Sequence, residues 1–237
     1  MSGGEFDWGG RLRKGIGGAQ RFPQNGRKPF EECKGRRELD CDTDGWSRYI
    51  LNPDGSKTGI VRERGVAHRE GSLHGTVHMW IVRENEVSGY DVLLQKRSAC
   101  KDSNPGCYDI SSAGHIMAGD EPLPAAVREM KEELGLTVKA EDLTFIGVHH
   151  GAFEAEFYGK MFRDNELSSV YLYTEPVEIK DLTLQESEVE EVIWMDYEEC
   201  RKQVESGELA NCIYLDEFRM VGEYLQSRSG QRIERLT

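Results

Sequence analysis

The segment Gly114–Leu136, GHIMAGDEPLPAAVREMKEELGL, constrains this chain more than any other part of its sequence. Asp120 is a good N-cap residue, Pro122 suits the first turn of a helix, and Gly135 is a natural C-terminal stop. The segment therefore predicts a helix that runs from about Pro122 to Leu134.

Two faces of this helix carry different side chains. The apolar stripe consists of Leu123, Val127, Met130 and Leu134, which predicts packing on a sheet. A second face carries Glu129, Glu132 and Glu133, at the i, i+3 and i+4 spacing that brings side chains together. These like charges oppose one another and the helix macrodipole, so the face indicates a bound cation; Mg²⁺ in particular is often shared between a few carboxylates and substrate phosphates. A solvated acidic surface is the alternative.

The charge of the chain excludes some partners. Its 237 residues include 30 Lys+Arg and 43 Asp+Glu, for a formal net charge of -13. Such a surface repels phosphate backbones, so we expect no nucleic-acid polymer as a partner. Because no apolar run approaches the roughly 18 residues of a spanning helix, we expect no membrane partner either. These properties leave the oligomeric state open.

The six cysteines are scattered, and no pair has the Cys-x-x-Cys spacing of a zinc or redox site. This pattern indicates free thiols in a reducing compartment and predicts a cytoplasmic location. A redox role for Cys100 and Cys107, which share one loop, is the alternative.

The first thirty residues differ in composition from the remainder of the chain. They contain eight Gly, six Lys or Arg and two acids, for a local charge of +6 - 2 = +4. Because few apolar residues offset the ordering entropy, we expect a flexible extension over residues 1–37 and one folded domain over residues 38–237. Organelle targeting by this basic, acid-poor segment is the alternative.

Turn-forming residues and short apolar segments elsewhere in the chain predict strands around the central helix. The turn Asn52-Pro53-Asp54-Gly55 predicts a hairpin bend. Strand-like segments are 76–82, 91–95, 143–148, 170–174 and 192–195, and further helical segments are 197–205 and 215–225. Strands that enclose a helix, with helices at the end, predict an α/β (α+β) sandwich with a mixed β-sheet.

The central segment resembles the Nudix box, Gly-x5-Glu-x7-Arg-Glu-U-x-Glu-Glu-x-Gly-U, in which U is a bulky aliphatic residue. Asp120, where the pattern has Glu, is the sole departure. Further segments, among them His68-Arg69-Glu70-Gly71-Ser72-Leu73-His74, Asp109-Ile110-Ser111-Ser112-Ala113-Gly114-His115 and Leu184-Gln185-Glu186-Ser187-Glu188-Val189, resemble the Nudix branch related to type I isopentenyl-diphosphate isomerase. This resemblance, over roughly residues 39–226, implies the Nudix α/β/α sandwich.

The resemblance also implies roles for particular residues. Mg²⁺ or Mn²⁺ would be held by Glu129, Glu132, Glu133 and the Gly114 carbonyl. Arg128 would pair with a box carboxylate, and Glu188 would serve as a further ligand or base. Glu166, Glu186 and Glu190 compete for that last role. The catalytic set implied is thus Glu129, Glu133, Glu188 and Arg128.

Two reactions fit this scaffold and need different residues. Hydrolysis uses metal and carboxylates to activate water against phosphorus, with no protein nucleophile. The related isomerase uses a cysteine where this chain has Ser111 and Ser112, and a hydroxyl is a far weaker acid than a thiol. His68 and His74 resemble the two upstream histidines that bind a second metal in the isomerase, which keeps that reaction as an alternative. His115 is a candidate third ligand of that metal.

We therefore expect a metal-dependent hydrolase that cleaves a diphosphate linkage in a small molecule, either a nucleoside diphosphate linked to another moiety or a similar diphosphate. Basic side chains suited to phosphate oxygens precede the Pro105-Gly106 turn: Lys96, Arg97 and Lys101. Tyr108 is a candidate to stack on a base. The alternatives are an isopentenyl-diphosphate isomerase-like enzyme and a catalytically weak nucleotide- or diphosphate-binding module.

Overall fold

The computed structural model describes residues 47–86 and 89–234, and side chains as far as residue 228. The predicted extension over residues 1–37 lies outside the described residues. The strands within them are β1 (Ser47–Leu51), β2 (Lys57–Glu63), β3 (His74–Asn85), β4 (Gly89–Arg97), β5 (Tyr108–Asp109), β6 (Ser112–His115), β7 (Leu143–Phe157), β8 (Lys160–Tyr173) and β9 (Val189–Asp196). The helices are α1 (Arg64–Glu70), α2 (Pro122–Leu134), α3 (Tyr197–Ser206) and α4 (Leu215–Glu234), with short 3-10 turns at Ala140–Asp142 and Ile179–Asp181.

Strand β3 organises the sheet because its two halves have different neighbours. Its first half pairs with β8 in parallel, from His74 to Ile81, and with β6 in antiparallel. Its second half, from Val82 to Asn85, pairs with β4 in antiparallel. The sheet is therefore mixed, as the sequence predicted.

Alternation along β3 builds one core on each face of the sheet. Val77, Met79 and Ile81 face the core formed with α2, whereas Trp80 and Val82 face the core formed with α3 and α4. Helices cover both faces, which confirms the predicted sandwich.

Helix α2 begins and ends close to the predicted residues, but its predicted N-cap is wrong. The N-cap is Glu121, whose carbonyl accepts from the Ala125 N–H at 3.2 Å and whose side chain caps nothing. Prolines at 122 and 124 have no N–H, so two of the backbone donors that a helix N-terminus otherwise leaves without a partner do not exist. At the other end, Gly135 is the C-cap with φ 68°, as predicted.

Other expectations have mixed outcomes. The β1–β2 hairpin turns at Asn52–Gly55, where the Gly55 N–H donates to the Asn52 carbonyl at 2.8 Å. Strand β6 and helix α1 were not predicted.

Cys100 is disulfide-bonded, contrary to the expectation of free thiols throughout, whereas Cys107, Cys200 and Cys212 are free. Among the described helices, none has the length and apolar content needed to cross a membrane.

Candidate active site

A cavity of about 270 Å³ gathers most of the predicted site residues. They are His68, Arg97, Lys101, Gly114, His115, Glu129, Glu132, Glu133 and Glu188. The residues come from α1, β4, β6, α2 and the loops that precede β5 and β9. The fold thus brings together side chains that lie up to 120 positions apart in the chain.

The carboxylates of α2 form one wall of the cavity. Glu133 is 6 % exposed and accepts hydrogen bonds from the Ser112 hydroxyl at 2.6 Å and the Ala113 N–H at 3.1 Å. Burial raises the pKa of Glu133 to about 8, and the neighbouring Glu129 carboxylate adds to the shift. Burial likewise raises the pKa of Glu129 to about 7. Two desolvated carboxylates side by side are costly unless a cation neutralises them, so this wall suits a divalent metal.

Gly114 lies directly beneath the Glu129 side chain. A Cβ added at Gly114 would overlap the Glu129 carboxyl group and its Cγ. Glycine is therefore needed here for close approach between β6 and α2, and any larger residue would displace Glu129 from the wall.

Arg128 connects this wall to the next group of residues. Its Nη1 donates to Glu129 at 2.8 Å and to Glu132 at 3.0 Å, and its Nη2 donates to the His115 carbonyl at 3.1 Å. One guanidinium thus holds two carboxylates of α2 and the end of β6 in a fixed relation.

A histidine cluster, formed by His68, His74, His115 and Glu166, lies beside the carboxylate wall. The four candidate ligand atoms lie within 4.8 Å of one another. The His74 Nδ1–H donates to the Ser72 carbonyl at 2.8 Å, which leaves the Nε2 lone pair available. Among the described residues, none of the three Nε2 atoms has a hydrogen-bond partner. Imidazole and carboxylate ligands in this arrangement fit a divalent transition metal.

The protonation of this cluster also fits a metal. Burial lowers the pKa of His68 and, more strongly, of His115, so both rings stay neutral. Burial alone would raise the pKa of Glu166, but the three histidines hold it well below its usual range. Neutral imidazoles beside an ionised carboxylate are the states that ligate metals.

The acids of this cluster come from strand β8. Glu166 pairs in register with His74 across the parallel β3–β8 ladder. Asp164, which sequence reasoning missed, lies 3.6 Å from the His68 Nε2, and burial followed by the Glu166 charge raises its pKa well above the usual range. No local pattern in the sequence marks either acid as a histidine neighbour, because the parallel pairing joins segments 92 residues apart.

Glu188 and two basic residues complete the cavity. Lys101 donates to the Glu188 carboxylate. The Arg97 Nη1 donates to Asp109 at 2.9 Å, and its Nη2 donates to the Ser103 carbonyl at 3.1 Å. Two cationic side chains therefore line the same cavity as the carboxylate wall, each paired with an acid.

Other predicted residues do not reach the cavity. Lys96 pairs with Glu190 at 3.2 Å, and the Tyr108 hydroxyl donates to Glu191 at 2.9 Å. Neither Lys96 nor Tyr108 lines the cavity, and neither do Glu186 and Glu190. Lys96 and Arg97 are adjacent on β4, and successive strand residues point to opposite faces.

Comparison with known proteins identifies the class to which this fold and site belong. The NUDIX domain family model matches residues 72–211. Nudix hydrolase 3 of Arabidopsis thaliana is 43 % identical over 154 residues, which cover 64 % of this chain but only 19 % of that relative. The uncharacterised Nudix hydrolase lin0387 of Listeria innocua is 32 % identical over 168 residues, covering 71 % of this chain and 90 % of the relative.

Two more distant matches are consistent with this family. An isopentenyl-diphosphate Delta-isomerase of Dinoroseobacter shibae is 27 % identical over 139 residues, covering 60 % of this chain and 72 % of the relative. The crystal structure of DR0079 from Deinococcus radiodurans has the same fold, with a TM-score of 0.54 at 16 % identity, over 73 % of this chain and 97 % of that one. The chain belongs to the Nudix family, in the branch related to the isomerases.

Proposed function

We propose that this protein hydrolyses a diphosphate linkage in a small molecule by attack of water at phosphorus, with Mg²⁺ or Mn²⁺ held by Glu129, Glu132 and Glu133. The observation that carries this proposal is the adjacent pair of carboxylates, half-buried Glu129 and buried Glu133, whose pKa values are raised to about 7 and 8. A divalent cation bound there would supply positive charge to the diphosphate oxygens and acidify a water molecule.

The chain's own residues prepare this site. Ser112 and the Ala113 N–H fix the Glu133 carboxylate, while Arg128 fixes Glu129 and Glu132. We propose the Gly114 carbonyl as a further ligand because Gly114 lies against Glu129. Fixed carboxylates need no reorganisation as charge develops at phosphorus.

Glu188 is proposed as the additional ligand or general base. Of the candidates beyond the box, Glu188 and Glu166 line the cavity, whereas Glu186 and Glu190 do not. Glu166 lies among the three histidines, and Glu188 is the one whose charge acts on Glu129 and Glu133. Burial would raise its pKa, but Lys101 lowers it, so Glu188 stays ionised and able to accept a proton or a metal. Lys101 and Arg97 are proposed to meet the phosphate oxygens.

The histidine cluster is proposed as a second metal site. This proposal is supported by the Nε2 atoms of His68, His74 and His115, which lie around Glu166 and have no hydrogen-bond partner among the described residues. This site favours the isomerase as the second candidate function, because an isomerase is among the relatives.

The positions of Ser111 and Ser112 argue against isomerase activity. The Ser111 hydroxyl donates to the Leu93 carbonyl at 2.6 Å and accepts from the Ile81 N–H at 2.7 Å. The Ser112 hydroxyl donates to Glu133. Both side chains are fully buried and lie outside the cavity lining, so neither is placed to protonate a substrate carbon. The cavity does contain one thiol, Cys212, whose S–H is directed at the Tyr108 carbonyl, 3.6 Å away.

A screen of nucleoside diphosphate conjugates and prenyl diphosphates with Mg²⁺ or Mn²⁺ tests the proposal. Released phosphate or monophosphate and the ratio of prenyl isomers are measured in the same reactions. We expect phosphate release that chelator abolishes, with little dimethylallyl diphosphate formed from isopentenyl diphosphate. Rapid isomerisation without phosphate release would establish the isomerase, and binding without either reaction would establish a binding module.

Metal affinity at the carboxylate wall should rise with pH. The raised pKa values mean that Glu129 and Glu133 hold protons below about pH 7 to 8, so a cation competes with protons there. We expect the Mn²⁺ dissociation constant to fall about tenfold or more between pH 6 and pH 8. Calorimetry on a His115→Gln variant isolates this wall from the histidine cluster. Equal affinity at both pH values would contradict the assignment.

A further inference from the structure

The cavity is also lined by polar side chains that belong to neither proposed metal site, here called the polar floor. This floor is lined by His78 from β3, Gln95 from β4, Asn104, and Tyr214 and Glu217 at the start of α4. None of these side chains is needed by the proposed hydrolysis at phosphorus. Their chemistry therefore bears on the group that is attached to the diphosphate.

Two polar atoms on this floor have no protein partner. The Tyr214 hydroxyl and the Asn104 Oδ1 are buried, and neither has a hydrogen bond within the described part of the chain. Asn104 is only 6 % exposed. Buried polar groups in native proteins are nearly always paired, so unpaired ones that line a cavity indicate a ligand that completes them.

The Tyr214 ring is held firmly even though its hydroxyl is unpaired. A Cβ on Gly151 of β7 would lie 2.9 Å from the ring, so the ring rests directly on the strand backbone. The His149 ring, two positions away on the same strand, lies 4.9 Å from the Tyr214 ring, centroid to centroid. The hydroxyl is thus preorganised, which lowers the entropy lost when it binds a ligand group.

Neighbouring ionic groups add to the polarity of this floor. Glu217 accepts from the His78 Nδ1 at 2.7 Å and lies 3.2 Å from the His149 Nδ1. Because the His78 Nδ1 already bonds to Glu217, the His78 Nε2 is the nitrogen that remains to bond a group in the cavity. A hydrocarbon chain placed here would desolvate these groups without replacing their hydrogen bonds.

We propose that Tyr214 is a specificity-determining residue whose hydroxyl hydrogen-bonds a hydroxyl-bearing group, such as a sugar ring, linked to the diphosphate. This inference rests on the proposed hydrolysis and adds the class of group that the floor accepts. The unpaired Asn104 Oδ1 in the same cavity is a further acceptor for the substrate. A site built to bond a substrate hydroxyl discriminates strongly against an analogue without one.

Tyr214→Phe tests the inference because it removes only the hydroxyl. With ADP-ribose as the hydroxyl-bearing probe, kcat/KM should fall about ten- to a hundredfold. With geranyl diphosphate as the hydroxyl-free probe, kcat/KM should stay the same or rise. The melting temperature of the free protein should not fall, since no described protein group bonds the hydroxyl. An equal loss on both probes, or a lower melting temperature, would assign Tyr214 a structural role and overturn the inference.

Gly151→Ala provides a second variant that leaves the tyrosine chemistry intact. Its backbone is not in the left-handed region, and the three atoms nearest to the added methyl are Cε2, Cζ and the hydroxyl oxygen of Tyr214, at 2.9, 2.9 and 3.1 Å. We expect it to reduce ADP-ribose turnover in the parent protein but much less in the Tyr214→Phe background, because both changes act on one hydroxyl. Fully additive losses would contradict the inference.

Failure of the proposed hydrolysis is recognised separately. If the unmodified protein releases neither a monophosphate nor inorganic phosphate from either probe, the proposed function fails. The inference is then tested by measuring ADP-ribose binding to the unmodified protein and to Tyr214→Phe by calorimetry. Weaker binding by Tyr214→Phe supports it, and equal binding by both proteins overturns it.

Discussion

Glu133→Gln is expected to lower metal-dependent hydrolysis by a factor of about 10² or more. Glutamine keeps the side-chain volume, and its amide oxygen still accepts from the Ser112 hydroxyl and the Ala113 N–H. The variant loses the negative charge that we propose for cation binding. The effect therefore separates the charge of this group from its packing, and steady-state rates at saturating Mg²⁺ measure it.

The same substitution should stabilise the metal-free protein. Burial raises the pKa of Glu133 to about 8, above the value of an unfolded glutamate, so its contribution to stability is lost as pH rises toward 8. In chelator at pH 8, Glu133→Gln should gain at least about 1 kcal/mol in urea denaturation. Glu141→Gln, at a side chain that is 77 % exposed, is the matched control and should change neither quantity. An active variant, or one that is less stable in chelator, would show that Glu133 is structural.

Glu217→Ala is expected to destabilise the fold by about 3–5 kcal/mol at pH 7. The Glu217 side chain is 1 % exposed and accepts from the Trp80 indole N–H at 2.8 Å and from His78 at 2.7 Å. Alanine would leave the indole N–H unpaired and would remove the partner of His78 and one of the two carboxylates beside His149. Chemical denaturation measures the loss, and Glu223→Ala, at an exposed position of the same helix, is the control.

This loss should depend on pH in a defined way. Although burial lowers it, the Asp216 and Glu217 carboxylates raise the pKa of His149 to about 9. Its contribution to stability is thus present below the ordinary pKa of histidine and is lost as pH rises through about 9. Burial opposes ionisation of Glu217, yet His78 and His149 lower its pKa, so its contribution is present above the ordinary pKa of glutamate. The Glu217→Ala difference should therefore be largest from about pH 5 to pH 6.5 and should shrink as pH rises from about 6.5 to 9; a difference independent of pH would indicate a packing defect alone.

The sequence by itself determined the features that depend on neighbouring residues. Prolines and a glycine at fixed offsets bound helix α2, and the i, i+3 and i+4 spacing placed Glu129, Glu132 and Glu133 on one face. These are local properties because one helical turn spans fewer than four residues. Strand alternation also separates Lys96 from Arg97, so their opposite placement was predictable in principle, although we had grouped them.

Only the tertiary structure decided which distant residues share the cavity. The parallel pairing of β3 with β8 places Glu166 beside His74, and the start of α4 brings Tyr214 and Glu217 to the cavity floor. Neither Glu166 nor Glu217 differs from a surface acid in its local sequence. A single Glu in a polar segment belongs to no periodic pattern from which its burial could be predicted. Burial and the charges around it, set by the packing of the whole sheet, give Glu217 and Glu133 opposite pKa shifts. The sequence therefore specified the chemical groups of the site, whereas long-range packing specified their neighbours and their protonation.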